Sequence, residues 1–227
     1  MAGLKRSDVC VLIPAYNEEA RVARVVRAVL EQRFPVAVAD DGSTDRTVAE
    51  VRSLGVVCLE TPSNRGKGAT VRRALDWFMK QSFRAAVLMD ADGQHDPAEL
   101  PVFLAALEAG ADLAIGDRLR APGRMSLLRR ATNRSMSALL SLASGLRVPD
   151  TQCGYRALTR EALAKMRLRT ERFEIESEMV LEAGRNGLRV VAVPIRSVYA
   201  GEISRIRPLR DTRRFARFLF AYLTEKH

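Results

Sequence analysis

The sequence predicts an α/β protein with a mainly parallel sheet covered by helices on both faces. Short continuous apolar runs, typical of strands buried on both sides, alternate with longer segments in which apolar residues recur at helical spacing. Polar motifs follow several of these runs directly, and parallel sheets bind ligands at the carboxyl ends of their strands. The 227 residues, 47% of them hydrophobic, suffice for one full-sized domain, which is expected to span 1–227.

The first half of the chain repeats a strand–helix unit. The first strand is predicted at 9–13, where five apolar residues precede Pro14, and the first helix at 18–30. The next units are strand 36–39 with helix 44–54, strand 56–59 with helix 66–80, and strand 85–89 with helix 97–107. Pro97 suits a first helical turn, because its missing N–H is not needed there. A fifth strand is predicted at 112–115.

The second half is less regular. A helix is predicted at 126–144, closed by Gly145. One stripe of that helix is formed by Leu128, Ala131, Ser135, Leu139 and Leu142. A helix at 174–185, a strand at 188–193 and a terminal amphipathic helix at 209–223 follow. Because strands and helices no longer alternate one to one, an all-parallel arrangement is expected to break down after residue 115.

Charge and cysteine content narrow the class of protein. The chain has 37 Lys and Arg against 27 Asp and Glu, a net charge of +10 and a pI near 10.2. This balance favours a polyanionic partner, which is nucleic acid, an anionic membrane or a phosphorylated substrate. The distant cysteines Cys10, Cys58 and Cys153 indicate neither a disulfide framework nor a zinc site, so a reducing cytosol fits best. No apolar run reaches the roughly 20 residues that span a bilayer, so any membrane contact is expected to be peripheral.

The segment MDADGQH at 89–95 carries the strongest chemical signal. The predicted strand before it delivers Asp90 and Asp92 to a strand end, and alternation sends their side chains to the same side. Mg²⁺ and Mn²⁺ take oxygen ligands from one or two carboxylates together with phosphate oxygens. The pair therefore indicates a divalent cation bound with a diphosphate.

Three other interpretations of this segment differ in strength. A calcium-binding EF-hand loop is excluded, because His95 and Pro101 stand where Gly and Glu are required. A phosphoaspartate phosphatase would need Thr or Val in place of Gln94, and it usually carries its aspartates near the N-terminus. A pair of turn-forming aspartates that only caps the helix near Pro97 stays open for this motif alone.

Four further segments add polar motifs. They are IPAYNE at 13–18, DDGSTD at 40–45, NRGKG at 64–68 and DTQCGYR at 150–156. Pro14 and Tyr16 can form an apolar wall against a nucleobase. Glu18, Asp40 and Asp41 can accept hydrogen bonds from the base or the ribose. Alternatively, one of the two neighbouring aspartates caps the helix that follows.

The NRGKG segment is not a Walker loop, because the first Gly and the final Ser or Thr of that pattern are missing. It is expected to let the backbone pass close to a nucleotide, with Lys67 as a candidate phosphate contact. Gly66 and Gly68 alternatively serve only to permit tight packing.

Together with DADGQH, these motifs closely resemble those of the inverting family 2 glycosyltransferases of the GT-A fold. The nearest branch is that of the polyprenyl-phosphate (dolichol-phosphate) mannosyl- and glucosyltransferases. The resemblance covers about residues 8–217 and depends on five short motifs in order rather than on any one of them. It implies a GT-A domain with a nucleotide-sugar-binding half at 8–115 and an acceptor-binding half at 116–227.

The resemblance also implies roles for the central motif. Asp90 and Ala91 would lie at the nucleotide sugar, while Asp92 and Gln94 would hold the Mg²⁺ or Mn²⁺ that bridges the donor diphosphate. Asp92 is therefore assigned to catalysis, because such a cation stabilises the charge on the leaving nucleoside diphosphate. His95 is expected to form a structural hydrogen bond rather than to act in catalysis.

Positive charge is concentrated where an anionic acceptor would approach. Six arginines lie between 118 and 134, and six more between 205 and 217. In the resembled branch, an Arg after the fifth strand, a basic pair opening the next helix and a basic residue after Ser bind phosphates. These positions correspond to Arg118, Arg129, Arg130 and Arg205. Arginine forks match phosphate geometry, and a solvated surface position is the alternative for each of them.

These inferences predict a metal-dependent, inverting transferase that moves a sugar from a GDP- or UDP-linked donor to a polyprenyl phosphate. A same-fold alternative uses a saccharide hydroxyl as acceptor, for which Asp150 is the obvious base. Asp150 and Arg118 therefore join Asp92 as predicted catalytic residues. A basic nucleic-acid-binding protein is the alternative of another class. It would explain the charge, but not five ordered motifs around a carboxylate cluster that would repel phosphates unless a cation were bound, so no nucleic-acid partner is expected.

The expected location is the cytoplasm, peripheral on an anionic inner face of the cell membrane. Aromatic and aliphatic residues of helix 209–223 share one stripe beside arginines, a pattern that suits an interfacial helix. It equally suits a helix packed on the body of the protein.

Overall fold

The centre of the protein is one sheet, to which seven strands contribute within the residues that the structure describes. A computed structural model describes residues 3–120, 125, 127–196, 215, 217–222 and 224, and only the backbone of 128 and 129. The strands are β1 (Val9–Ala15), β2 (Val36–Asp40), β3 (Val57–Leu59), β4 (Ala85–Leu88), β5 (Leu113–Asp117), β6 (Arg156–Thr159) and β7 (Val190–Pro194). Their spatial order is β3-β2-β1-β4-β6-β5-β7. All pairs are parallel except those of β6, which runs antiparallel to β4 and β5, so the predicted mainly parallel sheet is confirmed.

Helices cover the sheet, and all of them except α6 follow the order that the sequence predicts. They are α1 (Val22–Glu31), α2 (Thr47–Arg52), α3 (Lys67–Met79), α4 (Leu100–Glu108), α5 (Leu127–Ser144), α6 (Arg160–Lys165) and α7 (Ile175–Arg185). The first two begin later than predicted, because the polar motifs before them form turns rather than helical residues. The α4 segment opens with a 3₁₀ turn at Pro97–Glu99.

The core lies between these layers. In β1, Val11, Leu12 and Ile13 are fully buried, as expected for a strand covered on both faces. Helix α1 buries Val22, Val25, Val26 and Val29, whose spacing places them on one face.

The pair β6 and α6 is missing from the sequence prediction. Strand β6 places Arg156 opposite Leu88, the last residue of β4, and opposite Ile115 in the middle of β5. The break in the parallel arrangement after residue 115, which was expected, thus occurs through a strand inserted between its neighbours. As a result, the DTQCGYR segment enters the sheet at the same edge as the DADGQH segment.

Helix α5 exposes the stripe that its sequence pattern picks out. Leu139 and Leu142 are 44% and 84% exposed, whereas Ser137 and Leu140 on the other side are buried. Leu127, the first residue of the helix, is also exposed. The helix therefore buries a partly polar face and leaves apolar side chains outside.

A C-terminal helix includes residues 215, 217–222 and 224, as predicted for this region, although 209–214 lie outside the described residues. Phe215 and Leu219 pack with Leu140 of α5 and Leu181 of α7. The hydroxyl of Tyr222 donates a 2.8 Å hydrogen bond to Glu182. These contacts dock the helix on the body of the protein. No helix in the described part of the chain has the length and apolarity to cross a membrane.

Candidate active site

The IPAYNE and DDGSTD segments are bound to each other at the ends of β1 and β2. The N–H of Asn17 donates to Ser43 Oγ at 2.9 Å, and the Asn17 side chain accepts from the N–H of Thr44 at 2.8 Å. Asn17 adopts a left-handed backbone conformation, with φ of 52°, which Asn tolerates better than most residues. The N–H of Glu18 donates to Thr47 Oγ1 at 2.8 Å. The first two predicted motifs therefore lie together.

Asp40 and Asp41 have different surroundings. Both carboxylate oxygens of Asp41 accept backbone N–H groups, from Arg65 at 2.8 Å and Gly66 at 2.9 Å, which fixes the NRGKG segment. Asp40 Oδ2 accepts from the N–H of Ser43, whereas Oδ1 is buried and makes no hydrogen bond within the described residues. A buried acceptor of this kind is suited to an N–H or O–H donor from a ligand.

Capping of α2 does not involve either of these aspartates. The N–H of Thr47, the first residue of α2, donates to Asp45 Oδ1 at 2.9 Å. The alternative that Asp40 or Asp41 caps this helix is therefore wrong, and both carboxylates serve the edge of the sheet instead.

The glycines of NRGKG pack against the segment before α7. A Cβ added to Gly68 would lie 2.6 Å from the backbone of Thr170 and Glu171, and the N–H of Ala69 donates to Glu171 at 3.0 Å. Gly66 has φ of 101° and would also clash there. Both glycines are thus required by close packing.

The DADGQH segment forms a turn at the end of β4. Asp92 Oδ1 accepts from the N–H of Gln94 at 2.9 Å, and Gly93 has φ of 77°. Burial, together with the charge of Asp90, raises the pKa of Asp92 to about 6. The site therefore disfavours a second negative charge unless a cation accompanies it.

His95 stabilises this turn through a hydrogen bond to its backbone. Its Nδ1 accepts a 3.3 Å hydrogen bond from the N–H of Asp90, and its ring stacks on Tyr155 with centroids 4.9 Å apart. Burial lowers the pKa of His95 to about 4, so the ring is neutral at pH 7. The structure thus gives His95 the hydrogen-bonding position that the sequence predicted.

Lys67 lies between two carboxylates. Its Nζ is 2.7 Å from Asp90 Oδ1 and 2.7 Å from Glu176 Oε1. Burial opposes the charge on the ammonium, but the two carboxylates raise the pKa of Lys67 above its usual value. Burial likewise opposes the charge on Asp90, yet Lys67 lowers the pKa of that carboxyl. Lys67 was predicted as a phosphate contact, and in this structure its ammonium is bound to protein carboxylates.

The DTQCGYR segment closes one side of the cluster. A Cβ added to Gly154 would lie 2.6 Å from Asp90 Oδ2 and 3.2 Å from Lys67 Nζ. Arg156 is fully buried and donates to the carbonyls of Thr151, Cys153 and Glu176 at 2.6, 2.8 and 2.6 Å. The segment is therefore fixed to the first turn of α7.

Asp150 and Arg118 form a buried ion pair. Arg118 Nε and Nη2 lie 2.7 and 2.9 Å from Asp150 Oδ2 and Oδ1, and the two residues are 5% and 1% exposed. The structure thus brings together two of the predicted catalytic residues, and both carboxylate oxygens of Asp150 accept hydrogen bonds from Arg118.

A basic groove opens beside this ion pair, between the end of β5, helix α5 and the segment before Asp150. It has a volume of about 500 Å³. Its lining includes Arg120, Arg134, Arg147, Ser137 and Pro149. Of the predicted acceptor residues other than Arg118, Arg130 is half-buried with an Nε that makes no hydrogen bond within the described residues. The Arg129 side chain and Arg205 lie outside the described residues.

Two features of the site went unpredicted, namely Glu176 and the anchoring by Arg156. A sequence pattern could have indicated Glu176. The glutamates at 176, 178 and 182 of the predicted helix are interspersed with apolar residues, which indicates buried carboxylates, and all three are buried in the structure. For the anchoring by Arg156, the sequence alone contains no comparable pattern.

A divalent cation fits the donor set of the turn. In the described part of the chain, no group of three or more His, Cys, Asp or Glu side chains could hold a metal ion. A cation held by Asp92 and Gln94 would therefore need further oxygen ligands from a substrate or from water. This agrees with the preference of Mg²⁺ for one or two carboxylates plus phosphate oxygens.

Comparisons with known proteins agree with this geometry. Residues 10–167 match the family model of Glycosyl transferase family 2. The polyprenol monophosphomannose synthase of Mycolicibacterium smegmatis is 34% identical over 203 residues, which cover 82% of this chain and 75% of that protein. The dolichyl-phosphate hexose transferase of Haloferax volcanii is 31% identical over 192 residues, covering 83% and 82%.

A solved structure shares the fold. The crystal structure of glucosyl-3-phosphoglycerate synthase from Mycobacterium tuberculosis, in complex with Mn²⁺, UDP and phosphoglyceric acid, superimposes with a TM-score of 0.71 at 21% identity. The match covers 98% of this chain and 82% of that one. The fold and the carboxylates at its strand ends define a glycosyltransferase of the GT-A type. The chain belongs to glycosyl transferase family 2, and the predicted relationship to its polyprenyl-phosphate branch is confirmed by the relatives.

Proposed function

We propose that the protein transfers one sugar, with inversion, from a nucleoside-diphosphate sugar to the phosphate of a polyprenol. The observation that carries the choice of acceptor is the ion pair between Asp150 and Arg118. A hydroxyl acceptor needs a positioned base, whereas a phosphate monoester is already largely ionised near neutral pH. With Asp150 bound to Arg118, the site suits an acceptor that carries its own negative charge.

The donor end of the proposal rests on the edge of β1, β2 and β4. Pro14 lies near the end of β1 and Tyr16 directly follows that strand. Ala15, between them, pairs with Asp40 of β2, whose buried Oδ1 is suited to a donor group of the base or ribose. Asp92 and Gln94 would hold Mg²⁺ or Mn²⁺ there. When bound, the cation neutralises charge on the diphosphate as it leaves. Asp90, held by Lys67, would lie at the nucleotide sugar.

The acceptor end of the proposal is the basic groove. Its guanidinium groups, on Arg120, Arg134 and Arg147, suit the phosphate headgroup, with Arg118 and Arg130 nearby in sequence. The exposed apolar residues of α5 and the net charge of +10 favour peripheral contact with an anionic membrane, where the lipid acceptor would reside. The names of the two relatives described above, which state polyprenol and dolichyl-phosphate chemistry, support this acceptor class.

A transfer assay tests the proposal. Radiolabelled UDP- and GDP-sugars are each incubated with undecaprenyl or dolichyl phosphate in MnCl₂, MgCl₂ or EDTA, and lipid-extractable label is counted. We expect label in the lipid phase from at least one donor with metal, and none with EDTA or with a polyprenol that lacks the phosphate. Transfer to neutral saccharides, without transfer to lipid phosphate, would contradict the proposal and favour the hydroxyl acceptor.

A further inference from the structure

We infer that Glu176 is a positioning residue for the donor site and that it acts through Lys67 on the carboxylate of Asp90. The inference rests on the proposed function, since it assigns Asp90 to the nucleotide sugar. Glu176 is linked to Asp90 through the Lys67 ammonium, which lies 2.7 Å from a carboxylate oxygen of each.

The Lys67 side chain is fixed at its backbone by α3 and at its ammonium by Glu176. Lys67 is the first residue of α3. Glu176 lies in the first turn of α7, where the N-terminus of the helix favours a negative side chain. Glu176 is only 8% exposed, and its carbonyl is fixed by the buried guanidinium of Arg156. A flexible lysine side chain is thereby held at one place and directed at Asp90 Oδ1.

The other oxygen of Asp90 is also confined. Oδ2 lies so close to Gly154 that a Cβ there would approach it to 2.6 Å. Asp90 therefore has its direction set by Lys67 on one side and by the backbone of Gly154 on the other. Without Glu176, the Lys67 ammonium would lose one of these two carboxylate partners, and it would no longer hold Asp90 in one direction.

The charges of the cluster make the sign of the effect informative. One ammonium between two carboxylates leaves a net negative cluster beside Asp92, so a loss of nucleotide affinity on neutralising Glu176 would report orientation and not relief of repulsion. Neutralising Glu176 would leave Lys67 and Asp90 as a simple pair and change the orientation of Asp90 rather than remove a ligand. The effect should therefore appear in nucleotide affinity and should depend on the presence of Lys67.

The test is a double-mutant cycle on the full chain, with UDP and GDP as probes in MnCl₂ and calorimetry as the readout. We expect Glu176→Gln to weaken nucleotide binding about tenfold and Lys67→Met to weaken it at least as much. In the double variant, Glu176→Gln should add no further loss, since it then acts on nothing. Glu182→Gln, on the same helix but bonded to Arg167, Arg185 and Tyr222, is the control and should lower the melting temperature with unchanged nucleotide affinity.

Two results would overturn the inference alone, provided that the unaltered protein binds a nucleotide. These are wild-type affinity in Glu176→Gln, and losses from Glu176→Gln and Lys67→Met that simply add. If Glu176→Gln does not fold, the comparison of Lys67→Met with the double variant decides, and any further loss in the double variant counts against the inference. If the unaltered protein binds neither UDP nor GDP, the proposed function fails and the inference fails with it.

Discussion

The carboxylate of Asp150 receives three hydrogen bonds from Arg118, two from the guanidinium at 2.7 and 2.9 Å and one from the backbone N–H at 3.2 Å. The pair joins the end of β5 to the DTQCGYR segment, and both residues are buried. Asp150 therefore fixes the position of an arginine rather than offering a free base. Arg118 in turn lies between Asp117 and Leu119, two residues that line the basic groove.

Replacing Asp150 tests this assignment. We expect Asp150→Asn to lower the free energy of unfolding by about 1.5–3 kcal/mol, because it weakens hydrogen bonds to a buried charged group. The KM for polyprenyl phosphate should rise while kcat changes by less than about tenfold, and urea denaturation with steady-state kinetics measures both. Asp112→Asn, which alters a surface carboxylate bonded to the N–H of Arg189, is the control. A kcat loss of about 10²–10⁴-fold with an unchanged KM would instead identify Asp150 as a base.

Replacing Asp92 tests the cation site. Burial and Asp90 raise the pKa of Asp92 to about 6, so removing this charge should relieve repulsion and leave the melting temperature of the metal-free protein unchanged or higher. Mn²⁺-dependent binding of UDP or GDP should be lost in Asp92→Asn, as calorimetry can measure. Asp96→Asn, which changes only a turn-capping carboxylate at the surface, should keep it. Equal nucleotide affinity of Asp92→Asn and the unaltered protein would remove Asp92 from the metal site.

The sequence was sufficient to predict most of the fold because strands such as β1 and β2 are continuous apolar runs. Strand β6 escaped prediction because it begins with Arg156, a residue type that is rarely buried. Its guanidinium is tolerated inside because three backbone carbonyls accept its hydrogen bonds. Such compensation is tertiary and leaves no local periodicity in the sequence.

The candidate site was predictable to a similar degree. Because carboxyl ends of parallel strands share one edge, the amino-acid sequence alone was enough to place the motifs at 13–18, 40–45 and 89–95 together. The partners of individual charges could not be predicted in this way. Lys67, for example, forms an ion pair with Glu176, which lies on α7 and is far from it in the sequence. Likewise, nothing local distinguishes Asp150 as an ion-pair partner from Asp150 as a base.

Two arginines of α5, Arg134 in the basic groove and Arg130 one turn before it, should affect the acceptor and not the donor. We expect Arg134→Ala and Arg130→Ala each to raise the KM for polyprenyl phosphate about threefold to thirtyfold, because each removes a guanidinium suited to phosphate. Affinity for UDP or GDP in MnCl₂ should stay unchanged. Arg27→Ala, on the exposed side of α1, is the charge-matched control and should change neither. Equal losses of donor and acceptor binding would show that these arginines act elsewhere.

Replacing two adjacent residues of the C-terminal helix distinguishes membrane contact from packing on the protein. Phe220 is 70% exposed, whereas Leu219 is 8% exposed and packs on Leu140 and Leu181. We expect Phe220→Ser to weaken binding to anionic vesicles without changing the free energy of unfolding, because its ring contacts mostly solvent. Leu219→Ala should cost about 2 kcal/mol of stability, at the low end for a buried leucine, because the cluster is small and peripheral.

Vesicle binding of the unaltered protein, measured by co-sedimentation, should fall as salt rises, since screening weakens attraction to anionic lipid. Salt-independent binding, or equal binding by Phe220→Ser, would exclude this helix as an electrostatically assisted membrane contact.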